Sequence, residues 1–217
     1  MSVLRGARRE DPGAKAPGFA KPGALAPGSD AALQAVSFLA LGLGIISILQ
    51  LLLGLAGIVQ RPVGFAIIVI GIALLAYRFR YLSGQEISDW LTARVDWDYL
   101  WLIAMPLLAA GIVAALVPPG VLWGDEPHGY DVLEYHLQLP REWFELEHIT
   151  PLHHNVFSFL PLNVEMHFLL AMQLKGGPWA GMYLAQLMHV AMVALSVVAV
   201  YAVARSFASG KLPAVLA

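Results

Sequence analysis

The stretch AVSFLALGLGIISILQLLLGLAGIV (Ala35–Val59) contains no charged side chain, and it decides the class of fold. About 20 apolar residues in a helix cross the roughly 30 Å hydrocarbon core of a bilayer, so this stretch is long enough to span a membrane. The composition of the whole chain agrees: 59% of the 217 residues are hydrophobic, 13% are charged, and the mean hydropathy is +0.68. We therefore expect an all-α integral membrane protein.

Three further segments are long and apolar enough to cross a bilayer, which predicts about four transmembrane helices. They are Val63–Tyr77, Tyr99–Val117 and residues 179–203. The first of these is short, but Arg61 and Arg78 at its ends can extend their side chains to water and lengthen it. Tryptophan and tyrosine side chains at the start of the second are typical of a membrane interface.

These spans divide the chain into four regions. They are a disordered tail rich in Gly, Pro and Ala (1–30), a transmembrane hairpin (31–80), a short cytoplasmic connection (81–98) and a core region (99–217). The core region is expected to contain a span (99–117), one large loop with juxtamembrane helices (118–178) and a second span (179–203). Because the last residues resemble the start of another span, we expect the chain to be an N-terminal fragment or a truncated gene product, which could be inactive by itself.

The distribution of Lys and Arg predicts the orientation. Basic residues concentrate in the N-terminal tail, around the second connection (Arg78, Arg80 and Arg94) and after the last span, and such residues mark the cytoplasmic side. We therefore expect a multi-pass protein of the inner (plasma) membrane, with a cytoplasmic N-terminus and an extracytoplasmic large loop. No basic patch with interleaved aromatic residues is present, so nucleic acid is not an expected partner. The chain has no cysteine, which excludes disulfides and thiolate metal sites.

The large loop gathers most of the carboxylates of the chain beside a span. Part of it has the spacing of one helical face, formed by Asp131, Glu134, Tyr135 and Gln138. Asp131 suits the N-cap of that helix, and Pro140 is expected to end it or to occupy the first position of a second helix. A third helix, Leu162–Lys175, is expected to lie along the membrane before Gly176-Gly177-Pro178 turns the chain into the last span.

Carboxylates at a membrane surface have two interpretations. An ionised Asp can be a general base to a substrate hydroxyl, whereas exposed Asp and Glu are also ordinary on a solvated helix. No transition-metal motif is recognisable in the sequence, and a loosely held Mg²⁺ or Mn²⁺ would use Asp125, Glu126 or Asp131 together with substrate phosphate. His189, inside the last span, is expected to form a hydrogen bond to a neighbouring helix.

The series YDVLEYHLQLPREWFELEHITPLHHNVFSFLPLNVEMHFLLAM (Tyr130–Met172), followed by LAQLMHV (Leu184–Val190), resembles bacterial membrane glycosyltransferases of the GT-C superfamily. The resemblance extends over about residues 97–217 and is greatest to the group that includes the aminoarabinose transferase and the protein O-mannosyltransferases. It implies many transmembrane helices, a polyprenyl-phosphate sugar as donor, and an acceptor glycan, lipid or protein. It also implies an acidic residue in the first large outer loop that acts as base in a displacement with inversion.

The resemblance implies roles for particular residues of the loop. Asp131 is the first candidate for the base, and Asp125, in the literal pair with Glu126, is the second. The expected substrate contacts, to phosphate or sugar, are Tyr135, Arg141, His153, His154, Asn155 and Lys175.

A non-catalytic membrane subunit is the alternative function. Such a protein would be a transporter component or a scaffold whose outer loop binds a partner, and it would tolerate Asp131→Asn. A transporter should have polar residues or broken helices near the middle of its spans, and these spans have few. The sequence therefore favours the transferase.

Overall fold

The computed structural model describes residues 29–81, 100–119 and 131–207, and all regular structure within them is helical. The α-helices are α1 (Ser29–Leu55), α2 (Arg61–Phe79), α3 (Leu100–Ala115), α4 (Gln138–Glu145), α5 (Asn163–Lys175) and α6 (Pro178–Phe207). A π-helical turn (Val132–His136) precedes α4, and a 3₁₀ turn (Val156–Phe159) precedes α5. The tail 1–28, most of the connection 81–98, and Asp125 and Glu126 lie outside the described residues.

Three of the helices are long and apolar enough to cross a membrane. They include Leu33–Leu55 of α1, the whole of α2, and Pro178–Ala204 of α6. This confirms the coarse expectation of an all-helical chain with membrane-length helices. The fourth predicted span corresponds to α3, whose 16 residues extend for about 24 Å. That length is less than the hydrocarbon thickness, so a span at this position stays a prediction.

The turn between α1 and α2 is set by Gly57. Its φ of +73° is a left-handed conformation that glycine adopts without strain. The Ile58 N–H donates to the Leu53 carbonyl at 2.9 Å and the Gly57 N–H to the Gly54 carbonyl at 3.0 Å, which closes the end of α1 in a Schellman motif. The first predicted span, drawn to Val59, therefore ends as a helix at Leu55.

The α1–α2 turn and the segment 131–177 lie at the same end of the helix bundle. The Ile149 N–H donates to the Gly54 carbonyl at 2.9 Å, and the His148 ring approaches the Leu55 carbonyl with Nε2 at 3.0 Å. At the start of α2, the Arg61 side chain packs against Gly176, where α5 ends. The hairpin turn and the large loop therefore form one packed structure.

The helix predicted to lie along the membrane, α5, is buried against other helices. Residues 165–173 of α5 are all buried, and α5 contacts α1, α2, α4 and α6. Glycines allow α2 and α6 to pack closely against α5. A Cβ at Gly64 of α2 would lie 2.9 Å from Gln173 Cβ, and one at Gly181 of α6 would lie 2.5 Å from Met172 Cα. Small residues of this kind allow close helix packing inside membranes.

The start of the loop also differs from the predicted α-helix. Leu137 N–H donates to the Val132 carbonyl at 3.0 Å, which is the i→i−5 bond of a π turn, and α4 begins at Gln138. Pro140 is therefore the third residue of α4 and not the first. Its ring would clash with the carbonyl four residues earlier in a continuous α-helix, so the chain changes helical type before it. Asp131 has helical φ and ψ and makes no capping hydrogen bond.

Candidate functional site

A cavity of about 370 Å³ lies between α3 and α6, beside the π turn. Its walls are mainly apolar and come from the second half of α3, from Val132 and Leu137, and from Phe168 of α5. At Gly111 the helices α3 and α6 lie close together, because a Cβ there would be in ordinary contact with the Val190 side chain at 3.6 Å. The shape and lining fit an apolar ligand.

Three side chains with polar groups line the cavity: His136 of the π turn, and Gln186 and His189 of α6. The Gln186 Nε2 is buried and has no hydrogen-bond partner among the described residues. His189 was expected to bond a neighbouring helix; within the described part of the chain its ring instead lies 6.2 Å from the Phe168 ring and forms no hydrogen bond. The two histidine rings are therefore the lining groups that can exchange a hydrogen bond with a ligand in the cavity.

His136 is paired with Glu165 across the loop. Its Nδ1 contacts Glu165 Oε1, and the Glu165 residue is only 4% exposed. The His136 side chain is 35% exposed. The sequence analysis did not predict this pair, whose members are 29 residues apart. The signal for it in the sequence is a carboxylate close to the long apolar part of α5.

The Tyr135 ring contacts the rings of His136 and Phe157. Its ring is 4.1 Å from the His136 ring and stacks on Phe157 at 4.4 Å, measured between ring centroids. Burial raises the pKa of the Tyr135 phenol, and the negative charges of Asp131 and Glu165 raise it further. The predicted site residues Asp131 and Tyr135 are therefore close enough to influence one another.

Asp131 is exposed and directly precedes Val132, which lines the cavity. The backbone of Asp131 therefore adjoins the edge of the cavity. Asp125 and Glu126, the other predicted acidic candidates, lie outside the described residues. Among the described residues there is no group of three or more His, Asp or Glu side chains that could hold a metal ion.

The predicted contacts Arg141 and Lys175 do not line the cavity. Arg141 Nε donates to Glu145 Oε1 at 3.1 Å, and its guanidinium lies over the Trp179 ring at 5.6 Å from the centroid. Lys175 is exposed in the last turn of α5. These two cations remain accessible from water on the loop.

The predicted contacts His153, His154 and Asn155 form part of the loop beyond α4. Asn155 is buried and its side chain holds the loop together: Nδ2 donates to the Glu134 carbonyl at 2.7 Å, and Oδ1 accepts from the Phe157 N–H at 3.1 Å. His154 is exposed and contacts Glu142, with Nε2 at 3.0 Å from Oε2. His153 is also exposed. The structure thus separates these three residues from the cavity lining.

The chain matches no family model, no curated protein and no solved structure. The geometry on which a function can be based is therefore that of the site itself: an apolar cavity between two helices, two histidines in its lining, and the exposed residue Asp131 directly before the lining residue Val132.

Proposed function

We propose that this protein is a membrane glycosyltransferase that moves a sugar from a polyprenyl-phosphate donor to an acceptor on the extracytoplasmic face. The observation that supports it is the apolar cavity between α3 and α6 with Asp131 at its edge. A polyprenyl chain is apolar and its sugar-phosphate head is polar, which corresponds to the two ends of this site. The resemblance to GT-C glycosyltransferases supplies the class of reaction.

In the proposed reaction Asp131 is the general base. Its carboxylate takes the proton of the acceptor hydroxyl, the acceptor oxygen forms a bond to the anomeric carbon, and the bond from that carbon to the phosphate oxygen breaks. The polyprenyl phosphate leaves with the electron pair, and attack opposite to it inverts the anomeric centre. If a Mg²⁺ or Mn²⁺ ion assists the reaction, one or two carboxylates and the substrate phosphate suffice to bind it. Asp131 is the first candidate ligand for such an ion, and Asp125 and Glu126 are the others.

The first test is transfer from a panel of polyprenyl-phosphate sugars by the full chain in bilayers. We expect Asp131→Asn to lower transfer by about 10²–10⁴-fold, the usual contribution of a general base. Glu134→Gln, in the same turn and also exposed, removes one carboxylate charge away from the cavity and should leave transfer unchanged. Asp125→Asn distinguishes the second candidate base. If the wild type transfers no sugar from any donor, the non-catalytic membrane subunit becomes the better assignment.

A second test concerns the cavity. Ala114 lines it, whereas Val113, the adjacent residue of α3, is 64% exposed. Ala114→Phe should fill the space and lower transfer about tenfold or more, because each displaced CH₂ of the donor chain loses about 0.8 kcal/mol of apolar contact. Val113→Phe adds the same ring on the outside and should have little effect. Equal transfer by both variants would show that the donor does not use this cavity.

A further inference from the structure

Glu165 is a buried carboxylate in an apolar helix, and this position needs an explanation. An ionised carboxylate in a low-dielectric interior is strongly unfavourable unless a hydrogen-bond or charge partner compensates it. Glu165 has one such partner among the described residues, the His136 ring. The exposed fraction of the two side chains differs greatly, 35% for His136 and 5% for Glu165. The pair therefore has a buried end and an accessible end.

The accessible end faces the cavity. Because Nδ1 of His136 contacts Glu165, Nε2 is the ring nitrogen left for a ligand. A carboxylate behind a histidine fixes the orientation of the ring and the nitrogen that carries the proton, as it does for histidines that bind metals or transfer protons.

The rest of the cavity lining is compatible with an anion at the same place. It includes no carboxylate among the described residues, and the carboxylate that contacts it, Glu165, is paired with His136. His189 lines the same cavity, and its ring can offer a further hydrogen bond to a ligand.

We propose that Glu165 is a positioning residue that holds His136 so that its Nε2 binds the oxyanion head of a lipid phosphate in the cavity. Nε2 can donate to the ligand while Nδ1 stays in contact with Glu165, and the apolar walls take the lipid chain. This inference rests on the proposed function only for the identity of the ligand as a lipid phosphate; binding itself requires no transfer.

The test measures binding of three probes to the full chain in bilayer discs of neutral lipid: farnesyl phosphate, farnesol and inorganic phosphate. We expect the wild type to bind farnesyl phosphate at least about tenfold more tightly than farnesol, since a hydrogen bond to a charged group contributes about 1.5–3 kcal/mol. Inorganic phosphate should bind far more weakly than either lipid, because it cannot use the apolar walls. Tight binding of inorganic phosphate would overturn the assignment to a lipid headgroup.

The variants separate positioning from folding. Glu165→Gln and His136→Gln should each reduce the preference for farnesyl phosphate over farnesol to near unity while farnesol still binds, which shows that the cavity is intact. Glu165→Asp should restore part of the preference, and Glu134→Gln, a matched loss of charge in the same loop, should not change it. Should Glu165→Gln fail to fold, His136→Gln carries the test, because the amide of the new glutamine can still donate a hydrogen bond to the buried Glu165.

The outcomes also distinguish this inference from the proposed function. A full preference for farnesyl phosphate in His136→Gln overturns the inference, whatever the transfer assay shows. Binding with the expected preference but no sugar transfer supports the inference and rejects the transferase. Asp131→Asn should abolish transfer and keep the preference, because Asp131 is not part of the described cavity lining.

Discussion

The crossing of α5 over α6 predicts that Gly181→Ala destabilises the protein. A Cβ at Gly181 would lie 2.5 Å from Met172 Cα and 2.9 Å from Met172 N. Both atoms belong to the backbone of a helix, so no side-chain rotation relieves the contact. Because α5 contacts four other helices, it cannot move away from α6 without disturbing its other interfaces.

The magnitude follows from two opposing terms. Overpacking a well-packed core typically costs about 1–3 kcal/mol, and a contact with backbone belongs at the upper end of that range. Alanine in place of glycine in a helix recovers up to about 1 kcal/mol. We expect a net loss of about 1–2 kcal/mol for Gly181→Ala. Gly71→Ala in α2 is the control, because nothing lies within 4 Å of its Cβ position and only the favourable term applies.

The assay is thermal unfolding of the two purified variants and the wild type in the same detergent, followed by tryptophan fluorescence and by the fraction that remains monodisperse. Gly181→Ala should unfold at a lower temperature than the wild type, and Gly71→Ala at the same or a higher temperature. Equal unfolding temperatures for the two variants would refute the close crossing, and with it the burial of α5 between the spans.

Three further predictions concern the loop. Glu147 has a φ of +53°, so Glu147→Gly should be more stable than Glu147→Ala by about 1 kcal/mol, and equal melting temperatures would contradict this strain. Trp143 is 2% exposed and its Nε1 donates to a loop carbonyl at 2.9 Å. Trp143→Phe should therefore lower the free energy of unfolding by about 1–3 kcal/mol in the same melting assay, whereas Trp179→Phe, at an exposed position, should lower it by about 0.5 kcal/mol or less. Burial and the Asp131 charge raise the pKa of Tyr135 above its ordinary value of 10, so Asp131→Asn should lower that pKa only in part. The measurement is a pH titration of phenolate absorbance, in which the signal of Tyr135 is identified by its loss in Tyr135→Phe. The same shift makes stability fall as pH rises above about 10, because the unfolded state releases the phenol proton first.

Much of the helical architecture was predictable from apolar length. The spans drawn at Ala35–Val59, Val63–Tyr77 and 179–203 correspond to α1, α2 and α6, because a bilayer requires helices of this length and composition. The role of α5 was not predictable in the same way. It was predicted as a helix along the membrane, and its burial depends on glycines in other helices, which no pattern within NVEMHFLLAMQLK indicates.

Site residues that are close in the sequence were predictable, whereas contacts between residues far apart in the sequence were not. Asp131 and Tyr135 are four residues apart, and the spacing alone placed them near one another. The π turn was missed because the expected α-helix ignored how Pro140 limits the residue four positions before it. The contact between His136 and Glu165 joins residues that are 29 apart in the sequence, so no helical periodicity could indicate it.

The site geometry depends on the spans as much as on the loop. One buried cluster joins Val59 of the α1–α2 turn to Trp143 of α4 and to Leu169 of α5, so the loop and the hairpin share a hydrophobic core. Ser47 of α1 donates to the Asn163 carbonyl at 2.9 Å and so secures the first turn of α5, next to Glu165. Lipid tails are as apolar as these side chains, so inside a bilayer close packing and hydrogen bonds hold such helices together. The position of His136 at the cavity is therefore set, through Glu165, by contacts that residues of the membrane-length helices make.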